Sequence, residues 1–244
     1  MKTFTTTLCI LSYSWILAQE IDTIRMGQTF ENYDDLEMGT MKEVIYTEVN
    51  GATRFGAMKI KSVKEVEIDG KKYLEFKHTW MSGNTDFNGD FYYLCEPQTL
   101  KPVLHIRNTK QKGKEGFRFT DTAIIPLDTV QDNVVKDLDI QLEVPTYAWE
   151  IDLETYSLLP MKKGYQAVMN FYHPGGPAPA YYTLKVEGDE KLVLPSGETM
   201  DCWVLFTDYG GTQPSRFWYT KRGQNFVKME GNYGQVKIRK KRLY

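Results

Sequence analysis

The sequence is poor in the residues that usually carry chemistry. It holds three cysteines and three histidines in 244 residues, and its charges balance to a formal net of −2. Such a balance gives no general attraction to nucleic acid or to an anionic membrane surface, so no nucleic-acid partner is expected. No G-x-S-x-G nucleophile elbow, no G-x-x-x-x-G-K phosphate loop and no H-E-x-x-H zinc motif occurs. His78, His105 and His173 lie on separate segments without ligand spacing, and nothing calls for a metal or a cofactor. Asn84-Thr85-Asp86-Phe87-Asn88-Gly89-Asp90 opens like a calcium loop, but its twelfth position is Cys95 where a bidentate Glu should stand. A tight turn at Asn88-Gly89 is the simpler reading. These absences point away from an enzyme; a hydrolase built on carboxylates brought together from distant segments is the weakest alternative.

Long apolar runs are also scarce. Residues 3–17 form one uncharged, largely apolar stretch after Lys2, containing Leu8, Ile10, Leu11, Trp15 and Ile16. At that length it falls short of the roughly 20 apolar residues of a membrane span and reads as a secretory signal peptide over residues 1–18, with Gln19 opening the mature chain. The mature chain, lacking a second such run, is expected to have no transmembrane span and to be exported, either periplasmic or associated with the cell envelope. Cleavage leaves Cys95 and Cys202. An oxidising compartment permits a disulfide between them, and the alternative is two buried thiols behaving as small hydrophobes.

What the chain has is aromatic residues, 14% of the total, with Tyr the commonest. They recur in a pattern. Trp80, a polar turn and Phe91-Tyr92-Tyr93-Leu94 are echoed by Trp203, a Gly-rich turn and Phe217-Trp218-Tyr219-Thr220, each followed by a short turn and another extended run. Extended runs at 44–49, 58–68 and 71–80 come first, with Asp69-Gly70 a two-residue hairpin turn. Phe117, Phe119, Ala123 and Ile125 continue the alternation to Pro126, after which Asp128, Asp132, Asp137 and Asp139 mark a solvated connection. Trp149, Leu153 and Tyr156 fall at helical spacing between Pro145 and Pro160 and predict one short helix. The stretch His173-Pro174-Gly175-Gly176-Pro177-Ala178-Pro179 must be a loop. Further extended runs at 181–187, 191–194, 199–207, 217–221, 226–230 and 235–243 fill the second half.

The expected fold is mainly β: an antiparallel curved sheet or barrel-like fold made of two related β units with one short helix. Its organisation is a mobile lead-in over 19–39 and a single β domain over 40–244. The halves, about 40–127 and 161–244, are joined by the acidic loop and the helix. Lys237-Ile238-Arg239-Lys240-Lys241-Arg242, on the last strand, reads as a solvated edge whose charges discourage edge-to-edge aggregation.

Gly197-x-x-x-Asp201-Cys202-Trp203, the Phe217-Trp218-Tyr219 strand and the closing run from Gly234-Gln235-Val236-Lys237 to Leu243 resemble domain-of-unknown-function family 3108, a family of exported bacterial β-rich proteins. Thr99-Leu100-Lys101-Pro102, Glu115-Gly116 and Asp152-Leu153-Glu154-Thr155-Tyr156 are similar to further structural units of that family. The resemblance implies an exported curved β-sheet and brings no catalytic residue. The Pro-Gly loop at 173–180 departs from it.

For function, the aromatic inventory is what remains. Trp80, Trp149, Trp203 and Trp218, with His173 beside the Pro-Gly loop, are candidate ligand contacts lining a cavity in a concave sheet; the alternative is that the tryptophans simply fill a core. The leading expectation is a non-catalytic exported protein that binds something apolar or amphipathic, a lipid or a lipoprotein segment. A cell-envelope interaction or structural module without a small ligand is the alternative.

Overall fold

The structure is a computed structural model that describes residues 21–194 and 196–244, so the leader expected over 1–18 lies outside the described residues. The first part of the chain gives strands β1 (Asp22–Ile24), β2 (Gly39–Val49), β3 (Ala52–Ile68), β4 (Lys71–Ser82), β5 (Gly89–Cys95), β6 (Pro102–Thr109), β7 (Gly113–Phe119), β8 (Ala123–Pro126) and β9 (Ile140–Gln141). Then come β10 (Tyr147–Ala148), the helix α1 (Asp152–Ser157), β11 (Gln166–Tyr172), β12 (Ala180–Val193), β13 (Thr199–Thr207), β14 (Ser215–Thr220), β15 (Phe226–Tyr233) and β16 (Val236–Leu243). The turns account for the hairpins: Asn50-Gly51 (φ 51 and 78) and Asp69-Gly70 (φ 51 and 75) each place two successive residues in the left-handed region. That backbone matches the twist of the flanking strands, and Asn, Asp and Gly adopt it at least cost.

All sixteen strands join one sheet. β2 to β9 form one antiparallel meander and β11 to β16 a second, and the two meet where β16 pairs with β2, from Lys237 opposite Glu48 to Leu243 opposite Lys42. The sheet is strongly curved but does not close, so the architecture is an open curved sheet and not a barrel. β1 and β10 both run parallel to β11 along its outer edge, the exceptions to the antiparallel pattern.

The main core lies on the concave side. Phe76, Tyr93, Phe117, Phe171, Phe217 and Tyr219 are fully buried there. The echoed triplets share one design: Phe91 and Tyr93, like Phe217 and Tyr219, point into this core. Helix α1 caps it with Leu153 and Tyr156, followed by Leu158 and Leu159. Three side-chain bonds hold so short a helix, which has too few residues to be stable alone. Tyr219 Oη donates to the Leu153 carbonyl (3.1 Å), and Gln224 Nε2 donates to the carbonyls of Ser157 (2.5 Å) and Leu159 (3.0 Å).

Several expectations are corrected. The lead-in is packed from residue 22 on: β1 pairs with β11, Phe30 and Leu36 are in the core, and the Phe30 amide donates to the Gln98 carbonyl (3.0 Å). The basic strand β16 is internal, between β15 and β2, because the second meander uses it to join the first. Both of its arginines are paired, Arg239 with Glu48 at 2.8 Å and Arg242 with Glu37. Runs 181–187 and 191–194 are one strand, β12, with a bulge between Val186 and Gly188 that absorbs the break in pattern.

Cys95 and Cys202 are free and buried in different places. Cys95 belongs to the main core, whereas Cys202 packs with Val204, Trp218 and Val227 in a small separate cluster. No disulfide joins them. Thiol counting on the mature protein is therefore expected to find two thiols, reacting only after denaturation, with no mobility change on reduction. A bond that must be reduced before Cys95 or Cys202 reacts would contradict this placement.

Candidate functional site

On β3 two of the residues that point into the concavity, flanked there by Ala57 and Val63, are lysines. Lys59 and Lys61 are buried at 4% and 2% exposure, while Met58 and Ile60, which alternate with them, face the other side. Register explains the company they keep. Lys59 lies opposite Glu43 on β2 and Trp80 on β4; Lys61 lies opposite Met41 and His78.

A buried ammonium is tolerated only with close, hydrogen-bonded counter-charge. Lys61 has two such partners, Glu43 of β2 at 2.5 Å and Glu154 of α1 at 2.6 Å. Burial opposes ionisation of Glu43, but Lys61, with Lys240 and Lys59 behind it, holds that carboxyl at about 2. Glu43 also lies 3.9 Å from Lys240 of β16, so the cluster ties the seam between the meanders to the helix above it.

Glu150 and Asp152, just before and at the start of α1, face the same space. Burial pushes Glu150 up to about 7 against the pull of Arg107, whose Nη1 donates to it at 3.4 Å. Burial pushes Asp152 up to about 6 against Lys240 and Lys59; it accepts from the Leu153 amide (2.7 Å) and from Tyr209 Oη (3.4 Å). Arg107 is itself clamped by Glu115 through two bonds of 2.5 and 3.0 Å. His105 is sandwiched between Tyr93 and Phe117, with ring centroids 4.1 and 5.4 Å away, and neither ring nitrogen has a hydrogen-bond partner.

Of these groups Lys59, Lys240, Glu150 and Asp152 form the polar wall of a cavity of about 290 Å³, whose apolar wall includes Trp80, Phe91, Trp149, Phe217, Met229 and Ile238. A second recess of about 390 Å³ shares Trp80, Phe91, Trp149 and Glu150 with it and extends past Phe87, half exposed, to Lys112. Volumes of this order suit small organic ligands.

Of the residues picked from sequence, Trp80 and Trp149 line the cavity. His173 stacks on the outer side of Trp149, centroids 3.7 Å apart, where burial lowers its pKa to about 4; it buttresses the indole. Trp203 packs against the main core away from the cavity, under the Lys221 ammonium at 4.6 Å. Trp218 sits on the opposite face of the sheet, where Nε1 donates to Glu190 at 2.8 Å and Lys228 lies 3.9 Å over the ring. The placement of Trp218 follows from strand alternation, since Phe217 and Tyr219 already take the inward face. Sequence reasoning missed Lys59, Lys61, Glu150, Asp152 and Lys240. One signal was available: Glu150, Asp152 and Glu154 put three acids on so short a capping segment, where buried cations are the natural counterpart. Among the described residues no group of three or more His, Cys, Asp or Glu is placed to hold a metal ion.

Replacing Lys61 with Met strands two buried carboxylates and is expected to cost about 3–5 kcal/mol in urea unfolding at pH 7. Because Glu43 is depressed, the stability it contributes is complete above its ordinary 4.5 and is lost as pH falls toward about 2. The cost of Lys61→Met should shrink across that window, and a cost independent of pH would refute the trio. For the buried histidine the pH dependence has the same sign, in a window nearer neutrality. Burial lowers His105 well below 6.5, so the fold keeps it neutral while the unfolded chain takes up a proton, and stability is lost as pH falls below 6.5. His105→Phe should therefore gain on the parent protein between pH 8 and pH 5 by on the order of 2 kcal/mol. An equal effect at both pH values would exclude a neutral buried imidazole.

No curated protein matches the sequence. Among solved structures, the chain is similar to the hypothetical lipoprotein YmcC from Escherichia coli, with 12% identity, 82% of this chain and 86% of that chain covered and a TM-score of 0.30. It is also similar to a DUF1329 family protein from Desulfovibrio piger, with 9% identity, 86% and 87% covered and a TM-score of 0.32. The model of the family described as "Protein of unknown function (DUF3108)" matches residues 43–241, nearly the whole of the two meanders, and the chain belongs to that family.

Proposed function

We propose that this protein is exported to the periplasm or cell envelope and there binds an apolar or amphipathic ligand, a lipid or a lipoprotein segment, without transforming it. The observation that carries the proposal is the cavity of about 290 Å³ under the Trp149–Ile151 turn and α1, with aromatic rings from both meanders in one wall and charged groups in the other. An apolar ligand gains from burial against Trp80, Phe91 and Phe217, and a few polar groups at fixed positions orient it. The leader-like first 18 residues and the absence, among the described residues, of any helix long and apolar enough to cross a membrane are compatible with this role. Neither thiol offers a nucleophile here. Burial pushes Cys95 up steeply and Cys202 to about 11, and Cys202 lies in the cluster on the other side of the sheet.

One observation favours a second reading, a hydrolase working through a carboxylate pair: Glu150 and Asp152 share the cavity and both have raised pKa values. Arg107 and Tyr209 engage these groups, which gives them a structural use that requires no catalysis.

Native mass spectrometry of protein purified from its host without detergent separates the readings. Binding predicts a co-purified lipid-like species that remains chemically intact on prolonged incubation with the protein, and that is lost from Ile238→Trp, which fills the cavity. Progressive cleavage of the species would favour the hydrolase. A protein that carries no ligand and takes up none from added amphiphiles would refute both.

A further inference from the structure

Lys59 is the cation of the cavity that the fold leaves unused. It is 4% exposed and borders the cavity, with its ammonium 5.4 Å from the centre of the Trp80 ring. Among the described residues it makes no hydrogen bond and has no carboxylate within ion-pair distance. The neighbouring charges do not supply what is missing. Glu43 and Glu154 each bond Lys61 through one oxygen and attract Lys59 only from a distance, while Lys61 and Lys240 add positive potential there that outweighs them. On the far side, Arg107 engages Glu150, and the Leu153 amide and Tyr209 engage Asp152; burial raises both carboxyls and weakens them as counter-charges. Of the remaining titratable groups of that wall, His78 is kept neutral by burial and by the cations around it, and burial keeps the Tyr93 hydroxyl protonated. Burial, reinforced by Lys61 and Lys240, lowers Lys59 itself to about 8, the behaviour of an ammonium still lacking an anion.

We propose that Lys59 is the headgroup receptor of the cavity, taking the oxyanion of an amphiphile, a carboxylate or a phosphate, whose apolar part lies against Trp80, Phe91 and Phe217. The assignment rests on the binding function proposed above and specifies its ligand class. A buried ammonium meeting an oxyanion forms a charge-assisted hydrogen bond shielded from water, which discriminates against a neutral head of the same length by about ten- to a hundredfold.

Calorimetric titration of the mature protein with dodecanoate, dodecyl phosphate and dodecanol tests this. At least one charged probe should bind about tenfold or more tightly than dodecanol, and whichever does identifies the headgroup. Lys59→Met should abolish that preference while leaving dodecanol binding unchanged, and Lys59→Arg should keep it. Equal affinity for all three probes, or a preference that survives in Lys59→Met, overturns the role of Lys59 and leaves the binding function standing. Failure of every probe, dodecanol included, overturns both. Should Lys59→Met not fold, side-chain NMR of the unaltered protein decides instead: the charged probe must raise the pH at which Lys59 titrates and dodecanol must not, and an unmoved titration overturns the assignment.

Discussion

The buried ammonium of Lys61 is the group on which the arrangement depends. It stands on β3, donates to one carboxylate from β2 and to another from α1, and through Glu43 communicates with Lys240 on β16. Each of these charges would be too costly to bury alone, and each becomes tolerable only when the others are in place. The cluster therefore acts as a geometrical condition. It is met only if the two meanders join at β16 and β2 with the observed register and the short helix lies across the concavity. Helix α1 has little stability of its own, so its position is set by Glu154, Tyr219 and Gln224. Once it is fixed there, Trp149, Glu150 and Asp152 are carried into the cavity wall.

The same electrostatics explain why the concavity is not filled. Collapse of neighbouring side chains onto Lys59 would leave its ammonium without solvent and without a partner, a loss of several kcal/mol that the extra apolar contact would not offset. Elsewhere in the sheet, where the inward face carries Phe76, Phe117 or Leu205, the rings and branches are almost wholly buried against one another. The cavity is thus a consequence of placing an unmatched charge on an otherwise apolar concave surface.

Much of the fold was legible in the sequence, because strands and two-residue turns are specified locally. Asp69-Gly70, the boundaries of β13 and the helix between Pro145 and Pro160 required only alternation, spacing and turn chemistry. The site was legible only where an aromatic residue announced it, at Trp80 and Trp149. Lys59 and Lys61 alternate with Met58 and Ile60, a pattern that by itself favours turning Met58 and Ile60 inward, and the structure turns the lysines inward instead. Nothing within the strand could show this. The partner carboxylates come from Glu43 and from Glu154, on α1, and the reversal pays only when both are present. The seam is a similar case: a terminal strand rich in Lys and Arg looks like an edge until Glu37 and Glu48, some two hundred residues earlier, are found beside it.

The echo between Trp80 with its aromatic triplet and Trp203 with its own divides the molecule into what is repeated and what is not. The repeated features, Phe91 and Tyr93 in one unit and Phe217 and Tyr219 in the other, are ribs of the scaffold on the same side of the sheet. The unrepeated features make the site. In the second unit Leu184, Val186, Leu205 and Phe217 are almost wholly buried on the inward face; in the first unit Lys59, Lys61, His78 and Arg107 share that face with Phe76, Tyr93 and Phe117. Joining β16 to β2 sets these unlike surfaces side by side, so that Ile238 and Phe217 confront Lys59 and Glu150 across one cavity. Each unit brings both kinds of group, Lys59 with Trp80 and Phe91 from the first and Lys240 with Phe217, Met229 and Ile238 from the second, and the cavity is enclosed only where they meet. A ligand with one charged end and one apolar end therefore fits the junction better than it fits either half.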